Sequence, residues 1–187
     1  MKPLSKRTIL SLAAILLLAA CQQPHQINGE QAQSKILQTE KWLFHDSIPP
    51  AIGWVNDYEH LYNTEEKETL DNIISAFEQQ TGNQIAIVTL DSSVIEGDKF
   101  DAFTQRIFNT WGVGQKEKNN GIMIGISKGH RKIRVNTGTG MEKVLPDSTV
   151  KSIIDNNFIP SFKEGLYYKG TVLGLTEIIN RLRNNRK

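Results

Sequence analysis

The sequence predicts an α/β fold, a small mixed sheet with helices on both faces, and three observations carry that prediction. Two runs, Ile85 to Leu90 and Gly121 to Ser127, are almost continuously apolar, the pattern of strands covered on both sides. Between them Phe100, Phe103, Ile107 and Trp111 recur at helical spacing, so a strand-helix-strand unit with a right-handed crossover is expected. Beyond the second run, Arg131 to Thr137 alternates, with Ile133 and Val135 inward and Lys132, Arg134 and Asn136 outward. A turn at Lys128-Gly129-His130, with its glycine free to take positive φ, makes this the antiparallel second arm of a hairpin, nearer the sheet's edge.

A chain of 187 residues suits one domain with short appendages. Lys2, Lys6 and Arg7 precede an apolar stretch from Ile9 to Ala20, too short to span a bilayer and long enough for the core of a signal peptide. The stretch ends Leu18-Ala19-Ala20-Cys21, which resembles the lipobox of bacterial lipoproteins. Residues 1–20 therefore read as a lipoprotein signal peptide, 21–41 as a flexible tether and 42–187 as the folded domain. Cys21 is expected to carry the lipid (palmitate) and to anchor the chain to a membrane, with the domain on the periplasmic or extracellular side of the cell envelope. Gln22 to Lys35 is too polar to bury a core, and about twenty such residues reach roughly 25 Å.

As the only cysteine, Cys21 excludes an internal disulfide, a CxxC redox pair and a cysteine-rich zinc site. Of the 22 Lys and Arg, three belong to the leader, leaving 19 against 20 Asp and Glu. That balance gives no polyanion-binding surface, so no nucleic-acid partner is expected, and the domain is expected to be a monomer. Arg181, Arg183, Arg186 and Lys187 end the chain as cations commonly end helices.

Within the domain, Asn63 with Glu66 forms a capping box, Leu70, Ile73, Ile74 and Phe77 form one stripe, and Gly82 ends that helix. Asp98 is expected to cap the helix that stops at Gly112. Asp147 or Ser148 is expected to cap a third, carrying Val150, Ile153, Ile154 and Phe158 until Pro160 ends or kinks it. Val172, Leu175, Ile179 and Leu182 mark a fourth.

Gly125-Ile126-Ser127-Lys128-Gly129 matches G-x-S-x-G, but a nucleophile elbow needs a strand entering a helix, and these residues punctuate a strand-to-strand turn. Gly112-Val113-Gly114 and Gly138-Thr139-Gly140 lack the third glycine of a dinucleotide fingerprint. His25, His45, His60 and His130 are scattered without zinc spacing. What remains is oxygen near the hairpin's mouth: Asn119, Asn120, Glu142 and Asp147. Asp57 joins them if the residues up to Thr64 run extended beside the sheet, a reach of about 23 Å. Oxygen ligands from several loops suit Ca²⁺ or Mg²⁺.

These residues resemble the TPM domain family, named for thylakoid-lumen, photosystem-repair and receptor-modulator members. The resemblance is carried by Val55-Asn56-Asp57-Tyr58, Gln80-Thr81-Gly82, Trp111-Gly112-Val113-Gly114-Gln115-Lys116, Asn120-Gly121, Arg131-Lys132-Ile133-Arg134, Gly138-Thr139-Gly140-Met141-Glu142, Leu145-Pro146-Asp147 and Ile159 to Gly165. It implies a Rossmann-like three-layer α/β/α sandwich, extracytoplasmic, with a Ca²⁺ or Mg²⁺ site at an acidic pocket in some members and acid phosphatase activity reported for plant members. The family's Asp-Asn-Gly is here Asn119-Asn120-Gly121, one carboxylate fewer, and its aromatic between the glycines is Thr139. No Cys-x5-Arg or paired-Asp phosphatase signature is present, so hydrolysis of phosphate monoesters would need a metal-activated water near Asp57 and Glu142. The favoured expectation is a tethered, divalent-cation-binding envelope domain that assists an unidentified envelope protein, with the metal-dependent phosphatase as the alternative.

Overall fold

In the computed structural model, which describes residues 48–185, four strands form one mixed sheet in the order β1-β2-β3-β4. The signal peptide, Cys21 and the tether lie outside the described residues. Strands β1 (Val55–Asp57), β2 (Gln84–Thr89) and β3 (Gly121–Ser127) run parallel, and β4 (Lys132–Thr137) returns antiparallel. The alternation of the strands sorts side chains to two faces. Ile85, Ile87, Ile122, Ile124 and Ile126 form one core with Leu70, Ile74 and Phe77 of α1 (Thr64–Thr81) and Leu175 and Ile179 of α5 (Tyr167–Asn184). Ala86, Val88, Leu90 and Met123 form the other with Phe100, Phe103 and Ile107 of α2 (Phe100–Trp111). The expected α/β/α sandwich is the result.

Helices α1 and α2 lie on opposite faces, yet both crossovers step the same way across the sheet, from β1 to β2 and from β2 to β3. Two such crossovers have opposite hands, so one of them is left-handed, against the strong general preference.

The capping box at Asn63 and Glu66 forms as expected, and Gly82 closes α1 with φ 70°. Other expectations need correction. Asp98 does not cap α2; it sits in a 3-10 turn, Gly97–Lys99, that feeds directly into the helix. The hairpin loop has four residues, 128–131, and its positive φ falls on Arg131 (52°), not on Gly129. Neither Asp147 nor Ser148 caps α3 (Asp147–Ile153): Pro146 holds the cap position, and Asp147 only favours the first turn through the helix dipole. A π-helical turn, Ile154–Phe158, then leads into α4 (Ile159–Lys163), where Pro160 occupies the first turn. Pro160 has no N–H to give the preceding turn, and the wider π-helical turn before it carries the helical run past it without a break. Among the described residues no helix is long and apolar enough to cross a membrane.

Candidate functional site

The sheet has two ends, and the sequence-predicted residues divide between them. At the amino end of β3, Asn120 is buried. Its Oδ1 accepts the Gln115 N–H at 2.8 Å, while its Nδ2 donates to the Gly82 carbonyl at 2.9 Å and to Asn83 Oδ1 at 3.1 Å. A Cβ on Gly121 would lie 1.9 Å from the Val113 carbonyl oxygen, so only glycine permits this approach of backbone to backbone. Asn119 takes φ 47°, and its carbonyl accepts the Gly140 N–H at 3.1 Å. Both asparagines are thus bound into the loop structure. Glu142 and Asp147 are exposed, and their carboxylates make no hydrogen bond or ion pair to a described residue.

Asp57 is not at this mouth. Parallel pairing sets it opposite Thr89, at the carboxyl end where the hairpin turns. The extended run assumed from the sequence does not occur, because the Asp57 carboxylate folds the chain back on itself. Its Oδ1 accepts the Leu61 N–H at 3.0 Å and its Oδ2 the Tyr62 N–H at 2.9 Å, and Thr89 Oγ1 donates to Oδ1 at 2.5 Å. Thr89 Oγ1 in turn accepts the Glu59 N–H at 2.9 Å, and the Glu59 carboxylate takes the Lys128 and Gly129 N–H groups at 2.7 and 2.9 Å. Desolvation by burial raises the Glu59 carboxyl above its ordinary value of 4.5, opposed by those two N–H groups. Close packing fixes the turn: a Cβ on Gly129 would come within 2.1 Å of Ser92 Oγ. Tyr62 extends the network across the fold, its hydroxyl donating to Thr171 Oγ1 at 2.9 Å and Thr171 to the Tyr167 carbonyl at 2.9 Å. Burial pushes the Tyr62 phenol well above its usual range.

The five predicted ligands therefore do not fit one coordination sphere. Asp57 is separated from the others by the length of the sheet, and its oxygens already accept three hydrogen bonds. Among the described residues no three His, Asp or Glu side chains stand close enough to share an ion.

Beside the hairpin turn lies a cleft of 560 Å³ between the start of β4 and α4–α5. Lys128, Arg131, Lys132 and Lys163 line it, with no carboxylate among the lining residues. Ile133, Ile159 and Phe162 supply its apolar wall, and Lys128 Nζ stands 5.7 Å from the centre of the Tyr167 ring. Ser127 also borders it, but that residue is 1% exposed and its Oγ accepts the His130 N–H at 3.4 Å. Sequence reasoning missed Glu59, Thr89 and this cleft. Three cations within five residues, Lys128, Arg131 and Lys132, were the available signal.

Three parallel strands extended by an antiparallel hairpin, with helices on both faces, define a small α/β/α sandwich domain. The TPM domain model matches residues 55–181, and the chain belongs to that family. It is similar to the N-terminal domain of a Porphyromonas gingivalis protein solved by solution NMR, with 29% identity and TM-score 0.65, covering 71% of this chain and 83% of that one. The BA42 protein of Bizionia argentinensis shares the fold at 19% identity and TM-score 0.57, covering 67% and 84%. So does the N-terminal domain of the cg2496 protein of Corynebacterium glutamicum, at 16% identity and TM-score 0.55, covering 76% and 87%. A search of curated proteins returns no match.

Proposed function

We propose that this TPM domain is a non-catalytic binding domain of the cell envelope. Acylated Cys21 holds it at a membrane, residues 21–41 serve as a tether, and the folded part engages an envelope protein during that protein's maintenance or assembly. The observation that carries the reading is the cleft: four cations converge there without a lining carboxylate, while Asp57, Glu59 and Ser127, which chemistry would need free, are occupied in holding the turn. Cationic clefts with an apolar wall suit recognition of acidic groups. Fractionation tests the tether: Cys21→Ser should move the domain from the membrane to the soluble fraction without altering its melting temperature.

The metal-dependent acid phosphatase is the second reading, favoured by one observation, that the four cations of the cleft suit the charge of a phosphoryl group. Turnover of p-nitrophenyl phosphate with and without Ca²⁺ or Mg²⁺ decides between the two. The binding reading expects none, and expects Ser127→Ala to leave any residual turnover within about twofold; a hundredfold loss would restore the serine as a nucleophile. Ca²⁺ or Mg²⁺ binding is a proposal separate from the first reading and a requirement of the second.

A further inference from the structure

Strand β4 is an edge of the sheet, and its first residues, Lys132 and Ile133, border the cleft, while Val135 further along is covered by side chains. The Gly138 N–H donates to the Gly121 carbonyl at 2.9 Å, which makes that pair hydrogen-bonded. By the two-residue alternation of an antiparallel ladder, Asn136, Arg134 and Lys132 also face β3, and Ile133, Val135 and Thr137 direct their N–H and C=O groups off the sheet. No described residue bonds to those outward groups. The opposite edge is treated differently: the Val55 N–H of β1 is taken by Asp71 Oδ1 at 2.9 Å. Open edges are commonly guarded by cations against unwanted pairing, and Lys132 and Arg134 serve that end along the strand. Arg131, Lys128 and Lys163 are not on the strand, however, and the guard explanation does not account for their convergence on a cleft walled by Ile133, Ile159 and Phe162.

We infer that β4 and this cleft form a docking site for an extended acidic peptide of another envelope protein, added as a fifth strand. Its backbone pairs with the outward groups of Ile133, Val135 and Thr137, its carboxylates meet Arg131, Lys132 and Lys163, and an apolar side chain rests on Ile159 and Phe162. Main-chain pairing gives such a site affinity, and the cations select the sequence. The volume, 560 Å³, is that of a pocket for two or three side chains rather than for a folded surface. The inference rests on the binding reading above and names the partner's chemistry.

The test uses the chain from residue 22 to 187, which keeps every described residue, and the acetylated, amidated peptide Glu-Val-Glu-Val-Glu-Val. Titration followed by amide NMR should show saturable shifts at residues 128–137 and 159–167 with Kd below about 1 mM, and exchange of the Ile133, Val135 and Thr137 amides should slow at least fivefold. Lys132→Glu with Lys163→Glu, both surface changes, should weaken binding at least tenfold, and Lys-Val-Lys-Val-Lys-Val should not bind. Shifts without slowed exchange, or equal shifts with inorganic phosphate, would show a plain anion site and overturn strand addition. No shifts at millimolar peptide would overturn the site altogether, whereas failure of the Cys21→Ser fractionation would remove the tether and leave the cleft intact.

Discussion

The two ends of the sheet are closed by different chemistry. At the amino end, amides stitch loop to loop: Asn120 joins Gln115, Gly82 and Asn83, and Gln84 Oε1 accepts the Gly114 N–H at 2.7 Å. At the carboxyl end, carboxylates do the same work on the backbone, Asp57 at Leu61 and Tyr62 and Glu59 at the hairpin turn. An amide donates and accepts but carries no charge, so it can be buried and joined to three partners at once. A carboxylate only accepts, draws stronger hydrogen bonds, and leaves the end it holds sensitive to charge and to pH. An oxygen-rich loop in a sequence is therefore as readily a clamp as a ligand set.

The largest expected effect is at the amide end. Asn120→Ala removes three hydrogen bonds, at about 1 kcal/mol each, and should cost about 3 kcal/mol, roughly 10 °C in melting temperature, with no change in the pH profile. A loss below about 1 kcal/mol would mean that the amino end is held by something other than this side chain. Next comes Asp57→Asn, which turns an acceptor towards the Tyr62 N–H into a donor. It should cost about 2 kcal/mol, and a double-mutant cycle with Thr89→Val should show coupling of 0.5 kcal/mol or more.

How far these ends were legible follows from what each residue type discloses. Asn63, Glu66, Leu70 and Gly82 announce a helix through local spacing, and the apolar runs around Ile87 and Ile124 announce buried strands because such runs need no partner to be recognised. β1 has three residues and no period, so its direction was invisible, and with it the end of the sheet on which Asp57 stands. Arg131 at positive φ, in place of the neighbouring glycine, could not be read either: loop length is set by how Glu59 grips the Lys128 and Gly129 amides from 69 and 70 residues away. The family resemblance was legible because its motifs are loop glycines and their contacts, and those are the residues that the tight amino end requires.

The pH dependence separates the ends further. Burial raises the Glu59 carboxyl in the fold, so the protonated form is the one favoured there: its contribution is present at low pH and is lost as pH rises from 4.5 through the raised value. Glu59→Gln, whose amide cannot accept both N–H groups, should be less stable than the native chain at low pH, and the difference should narrow as pH rises over that window. Asp91 behaves oppositely, since the Ser93 N–H lowers its carboxyl below 3.8, and its contribution is present above that value and lost as pH falls through the lowered one. Asp91→Asn should reduce stability near neutrality and converge with the native chain in strong acid. Thermal melts between pH 3 and 7 would read both, and parallel curves for the two variants would refute the assignment. The smallest effects belong to Glu142→Ala and Asp147→Ala, within about 0.5 kcal/mol, with 1 mM Ca²⁺ raising the native melting temperature by less than about 1 °C. A larger rise abolished by either substitution would show that the amino end binds the ion.

The short first strand also sets which part of the sheet is held least. β1 pairs with β2 over three positions, whereas β2 pairs with β3, and β3 with β4, over six each. The strand with the fewest ladder bonds opens most readily. A local excursion that lifts only Val55 to Asp57 from β2 removes a single core side chain, Val55, yet it frees the Asp57 carboxylate and the Leu61 and Tyr62 amides together, so the carboxyl end of the sheet has an opening of its own, short of global unfolding.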